Sequence, residues 1–235
     1  DTDDLTLQAN VTATGGNGTI HLYAGHTVAL SVAAVVVSAA GTGAVLLDAG
    51  ADYNSGTDTV AAGHAGGSIT MADGATIQSA AADITQRAPG SVQLSKVNAD
   101  SDGADGVGNI VVTADFAGLG VGGLSDTVGA ITDNLSGDGA NLVGNLATLR
   151  AATGIDVSTD AATLDVTNSA SGAITIDEAN GVTVNGLVQT VGGAGQNISL
   201  QAGGAVTLAG NVSAAGARVT LHTTGAGPFN VSQSS

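Results

Sequence analysis

The sequence has no cysteine and no tryptophan, only four Lys and Arg together, and aromatic residues make up 2% of it. Without cysteine the fold uses neither disulfides nor thiolate metal sites, and the redox compartment is not encoded in the composition. The aromatics are Tyr23, Tyr53, Phe116 and Phe229. A core built without them must be narrow and filled by Val, Ile, Leu and Ala, which suits the thin interior of a coil better than a thick sandwich. The cations are Arg87, Lys96, Arg150 and Arg218, against 20 Asp and Glu, for a formal net charge of −16. Nucleic acid binding needs cationic groups to displace counterions, so this surface repels phosphate, and anionic membranes are disfavoured for the same reason. An acidic surface favours solubility and association with cations instead. The longest apolar run, Val28 to Ala40, is interrupted by Ser31 and Ser38 and is too short to span a bilayer. No secretory signal is legible. The chain starts at Asp1, Thr2, Asp3 and Asp4 directly before a strand pattern, so a processed chain or a segment of a longer one is expected.

Glycine, at 37 of 235 residues, is abundant but has no period of three, which excludes collagen. The aliphatic content opposes disorder. Between Gly172 and Gly225 the chain carries short runs at Ala173–Ile176, Gly181–Val184, Asn197–Leu200, Ala205–Leu208 and Arg218–Leu221. Each alternates aliphatic with small hydroxyl residues, the period-two pattern of a strand with one buried face. Gly, Asn, Ala and Asp turn the chain between them. Similar runs begin near Leu5, Thr19, Thr27, Val35, Ala44, Ser68, Ala75, Asp83, Ser91, Asn109, Ala130 and Ala161.

The strongest runs recur at a near-constant interval. Ile20 to Val45 is 25 residues, Val45 to Ile69 is 24, Ile69 to Val92 is 23, Ile174 to Ile198 is 24 and Ile198 to Val219 is 21. An interval of 21–25 residues holding two or three strands matches one coil of a parallel β-helix. The expected fold is therefore all-β: a right-handed parallel β-helix, or β-solenoid, of roughly ten coils in a single domain over residues 1–235. A sandwich closed by hairpins is the rival reading. Ile20 and Leu22, Ile69 and Met71, and Ile198 and Leu200 are expected to point inward, and His21, Thr70 and Ser199 outward. Irregular or looped coils are expected around 98–108 and 115–150. Leu142, Leu146 and Leu149 fall at helical spacing, but Gly144 weakens a helix there and an irregular coil is preferred.

The segments Ala147–Val157, Ala162–Val166 and Gly172–Val184, with the shorter phrases Ala82–Gln86 and Ala202–Leu208, resemble the repeats of very large bacterial surface proteins, the filamentous-haemagglutinin-like and related repetitive adhesins. The resemblance covers most of the chain in style, through degenerate motifs. It implies a right-handed parallel β-helix, secretion to the cell surface and a structural or adhesive role. The secretion domain that such proteins carry is not recognisable, so the segment would be shaft.

Candidate chemistry is sparse. Asp100, Asp102 and Asp105, spaced by Gly and Ser, could gather oxygen ligands around Ca²⁺. No Glu follows at the position an EF-hand needs, and the plain alternative is a solvated acidic loop. Asp1, Asp3 and Asp4 and the pair Asp177 and Glu178 are weaker candidates of the same kind. Paired carboxylates also serve glycoside hydrolysis, but the cations are few and dispersed and Trp is absent, so no enzyme is expected and no cofactor is required. His21, His26, His64 and His222 show no dedicated zinc spacing and read as surface residues. Sequons occur at Asn10, Asn17, Asn134, Asn197, Asn211 and Asn230.

The functional expectation is an extracellular, cell-surface structural protein: a shaft or fibre subunit of an adhesin or filament, stacking end to end. Leu5, Leu7, Phe229 and Val231, near the chain ends and in the strand pattern, are the expected self-assembly residues. The alternative is an adhesin-type binding module whose acidic loops hold calcium or a host glycan. Neither nucleic acid nor membrane insertion is expected.

Overall fold

The computed structural model describes residues 3–33, 35–54, 59–62, 67–103, 108–116, 127–225 and 231–233. Every regular element among them is a strand. Apart from one antiparallel hairpin, Ala51–Asn54 with Thr59–Ala62, the strands join one sheet in which all pairings are parallel and link strands distant in sequence. That topology is a parallel β-helix: the chain winds round, and each pass lays its strands on those of the pass before.

The first face is the most regular. Its strands are Leu5–Leu7, Val28–Leu30, Ile69–Met71, Val92–Leu94, Ile131–Asp133, Ile155–Asn168 in its opening part, Ile174–Glu178, Ile198–Ala202 and Val219–Thr223. Each pairs in turn with the next. This face counts nine coils, close to the expected ten. A second face stacks Val11–Ala13, Val36–Ala39, Thr76–Ser79, Lys96–Asn98 and the start of Leu142–Ala151. A third stacks Ile20–Tyr23, Val45–Asp48, Ile84–Ala88, Ile110–Ala114 and the end of Leu142–Ala151. From the fifth coil onward the second and third faces merge into long strands, Leu142–Ala151, Ile155–Asn168, Val182–Gln189 and Val206–Ala214.

The coil length is less constant than the sequence intervals imply. Along the first face the steps are 23, 41, 23, 39, 24, 19, 24 and 21 residues. The 41-residue step holds the hairpin, and the 39-residue step includes residues 104–107 and 117–126, which lie outside the described residues. Of the five intervals, Val45 to Ile69 is not a stacking contact. Val45 lies on Ile20 and Ile84, whereas Ile69 lies on Val28 and Val92. That interval runs from one face to another. Within 115–150, expected to be irregular, Ile131–Asp133 and Leu142–Ala151 are strands. Leu142 and Leu149 are both buried in a strand, not a helix, and the two-residue alternation shifts phase at Asn145 and Leu146 between them.

The core is a set of aliphatic files running along the rod. Ile69, Met71, Ile198 and Leu200 are fully buried and Ile20 nearly so, as expected, with Leu22 partly buried against them. Thr70 and Ser199 face outward and are half-buried, and His21 is exposed. Coils stack about 4.8 Å apart, so each turn between strands must lie flat on the turn below. Gly172 shows the requirement. Its φ is +79°, and a Cβ there would strike the Thr153 carbonyl of the neighbouring coil, so only glycine suits both the left-handed turn and the close approach.

One file on the third face runs Leu22, Leu47, Gln86, Val112, Leu149, Val166, Leu187 and Val212. Gln86 is its one polar member. It is fully buried, and neither its amide oxygen nor its amide nitrogen has a hydrogen-bond partner. An unsatisfied buried polar group costs about 1–3 kcal/mol. Gln86→Leu is therefore expected to stabilise the rod by about that amount, seen as a higher urea midpoint; a lower midpoint would show that the amide is satisfied in solution. Other buried amides are paired. Asn168 Nδ2 donates to Gln189 Oε1 at 2.9 Å and Asn141 Nδ2 to Asp133 Oδ1 at 2.6 Å.

Candidate functional site

Three places hold unusual chemistry: a charged stack on the third face, an acidic groove beside the first, and the two ends of the rod.

The charged stack joins the first four coils. Tyr23, Asp48 and Arg87 occupy the same position in successive strands. Arg87 donates from Nε to Asp48 Oδ1 at 2.6 Å and from Nη2 to Asp48 Oδ2 at 2.7 Å. His21 Nε2 lies 2.7 Å from Asp48 Oδ2, and the Arg87 guanidinium carbon stands 5.1 Å from the centre of the Phe116 ring. Asp48 is buried. Burial works to raise its pKa, but the hydrogen bonds and charges of His21 and Arg87 outweigh that and hold it below the usual carboxylate value. His21, expected as a plain surface residue, is thus a tie between coils. This is an internal clamp with its polar atoms turned on one another, not toward a ligand.

The acidic groove, about 390 Å³, is lined by Asp133, Asp138, Ser158, Asp177 and Glu178, among others. Glu178 is buried, and burial followed by the charge of Asp160 pushes its pKa up against three hydrogen bonds. Its Oε2 accepts from Thr159 Oγ1 at 2.7 Å and from the Ala161 amide at 3.2 Å, and its Oε1 accepts from the Asn180 amide at 3.0 Å. Asp133 Oδ1 likewise accepts from Asn141 and from the Leu135 amide. Both carboxylates are occupied in holding neighbouring segments of the rod. Among the described residues, no three His, Asp or Glu side chains gather to hold a metal ion.

The expected calcium loop is described only in part. Asp100 and Asp102 fall among the described residues, and Asp105 does not. Asp100 Oδ1 is buried without a hydrogen-bond partner, beside a hollow of about 300 Å³ that Asp160 and Asn180 also line. Asn180 Nδ2 donates to Asp160 Oδ1 at 2.9 Å, closing part of that hollow.

The ends differ from everything between them. At one, Leu5–Leu7, Val11–Ala13 and Ile20–Tyr23 are each paired on a single side among the described residues. At the other, Val219–Thr223 and Val231–Gln233 are likewise paired on one side. Inward residues of the middle coils, such as Leu94, Ile131 and Leu149, are completely buried. The partly buried hydrophobics packed against the core are Leu5, Val11, Ala13 and Leu22 at one end and Leu208, Val212, Ala214 and Leu221 at the other. Val219 is 40% exposed. Among the described residues, the files run through to both end coils without a polar cover. Of the expected self-assembly residues, Leu5 and Leu7 lie on the first strand, Leu7 being the more buried at 9% exposure. Val231 lies on a last strand and pairs with Val206, and Phe229 is outside the described residues.

Open strand edges bearing half-covered aliphatic files are chemically suited to one task, accepting another strand. No protein-family model, curated protein or solved structure matches the chain.

Proposed function

We propose that the chain is a structural segment of an extracellular surface fibre, a non-enzymatic shaft whose end coils stack on a further coil. One observation carries this reading: the aliphatic files are sealed throughout the middle of the rod and half-open at both ends. Stacking a coil on either end would extend the backbone ladder and bury these residues, with each interface adding to stability as in other solenoids. The net charge of −16 supports end-wise over sideways contact, because neighbouring rods laid side by side repel along their whole length. The resemblance of Ala147–Val157 and Gly172–Val184 to the repeats of large bacterial adhesins supports a place at the cell surface. No helix of the described residues is long and apolar enough to cross a membrane.

The edge can be blocked without touching the fold. The Leu5 amide donates to the Thr27 carbonyl at 2.8 Å and the Leu7 carbonyl accepts from the Ser31 amide at 3.0 Å. Parallel ladders alternate, so the amide of Thr6 between them faces the open side. Thr6→Pro removes that donor and obstructs an added strand while sparing the existing bonds. Sedimentation velocity is expected to show self-association weakened by about tenfold or more with an unchanged circular dichroism spectrum. Association equal to wild type would overturn the use of this edge.

A further inference from the structure

Resting on that reading, we infer that the occupant of the open edge is a second copy of this chain in one fixed register, Leu5 on Val219, locked by Arg218 against Asp3 and Asp4. The first face supplies the register. Leu5, Val28, Ile69, Val92, Ile131, Ile155, Ile174, Ile198 and Val219 form one uninterrupted file from the first coil to the last. Register shifts occur on the merged faces, at Leu164/Asp165 and between Val184 and Gly186, and not here. Continuing the file across a joint sets Thr6 on Thr220 and Leu7 on Leu221, aliphatic on aliphatic and hydroxyl on hydroxyl.

The position just before this file supplies the key. It is held by Asp4 in the first coil and by Arg218 in the last. Within the rod this position reaches to the next coil: Asp4 Oδ1 accepts from the Thr27 amide at 3.0 Å, and Asn197 Oδ1 from the Arg218 amide at 3.1 Å. Arg87 and Arg150 are each spent on a carboxylate of the rod itself, Asp48 and Asp165. The exposed guanidinium of Arg218 has no such partner among the described residues. Asp3 and Asp4 are exposed at the opposite end, where Asp4 Oδ1 also lies 2.8 Å from His26 Nδ1 and Asp4 keeps its second oxygen for a joint. Head-to-tail stacking brings the cation level with Asp4 and one residue from Asp3. Head-to-head stacking would set Asp3 and Asp4 against their own copies and reverse the strands. Charge and strand direction select the same arrangement.

The chain has no cysteine, so introduced thiols report the register alone. The full chain carrying Thr6→Cys and Thr220→Cys is oxidised and run on a non-reducing gel. The inference expects a ladder of dimers and higher multimers, because paired positions on adjacent strands lie within disulfide reach. Thr6→Cys with His222→Cys offsets the thiols by two residues, roughly 7 Å along the strand, and is expected to stay monomeric. Arg218→Glu, at an exposed position, is expected to weaken association about tenfold, and adding Asp3→Arg to restore most of it. Rods that join end to end with no in-register ladder and no effect of Arg218→Glu would overturn the register and leave the fibre reading standing. Rods that stay single under every condition would overturn both, the edge then being the seat of a flanking coil of a longer chain.

Discussion

Replacing Asp48 with alanine is expected to cost about 3–5 kcal/mol of folding stability, the loss typical of breaking one side of a buried ion pair. The carboxylate receives both Arg87 donors and meets His21. Without it, the guanidinium is left on Phe116 with its charge uncompensated in a side chain only 17% exposed. Urea denaturation of Asp48→Ala checks the magnitude, and Arg87→Met in the same chain should recover much of the loss by removing the stranded charge. The pH dependence follows from the direction of the pKa. The folded value of Asp48 is below the unfolded one, so its contribution is full above about pH 4 and is lost as pH falls through the folded value. The gap between wild type and Asp48→Asn should therefore shrink on acidification below about pH 4. A gap that stays constant down to pH 2 would mean that the carboxylate is not ionised in the fold. Glu178 acts in the opposite sense. Its folded value is raised, so the stability linked to it is full below about pH 4.5 and is lost as pH rises through the folded value.

Leu149→Ala is expected to cost about 2–5 kcal/mol, the range for truncating a buried leucine. Leu149 is fully buried between Val112 and Val166 in the third-face file. A solenoid has little room to collapse into the gap, because its coils are held at ladder spacing and its interior is close-packed. The damage is also local. Each coil touches only its neighbours, so the variant weakens the joints on either side of one coil and leaves distant ones intact. Thermal unfolding followed by circular dichroism should show a lower midpoint, with a broadened or divided transition if the rod parts at this coil. An unchanged curve would show that Leu149 is not inside the stack.

Much of the architecture was legible because two-residue alternation marks strands in a fold where one side of every strand is buried. The expected starts at Thr19, Thr27, Ala44, Ser68, Asn109, Ala173 and Arg218 each fall one residue before a strand of the structure. Register was harder to read. Ile20, Val45, Ile69 and Val92 look alike in sequence, and nothing in an aliphatic residue tells which face it serves. The hairpin lies between Val45 and Ile69, and the stacking neighbour of Val45 is Ile84, further along the chain. The charged stack is illegible for the same reason, since only the alignment of Ile20–Tyr23, Val45–Asp48 and Ile84–Arg87 puts Tyr23, Asp48 and Arg87 in one position. Leu142–Ala151 looked irregular because Gly144 and Asn145 break the alternation where two faces fuse into one strand. Gln86 could not be suspected, because a glutamine in a strand is ordinarily an outward residue. The end strands were legible from their pattern. Their half-open files were not, since burial at an end depends on what the neighbouring coil fails to cover.

Electron microscopy of the purified chain at neutral pH tests the central claim most directly. Nine coils at about 4.8 Å make a unit of roughly 43 Å, and the account expects filaments one coil wide with an axial repeat near that length. Isolated rods of that single length, at concentrations where Thr6→Pro and wild type look the same, would contradict it.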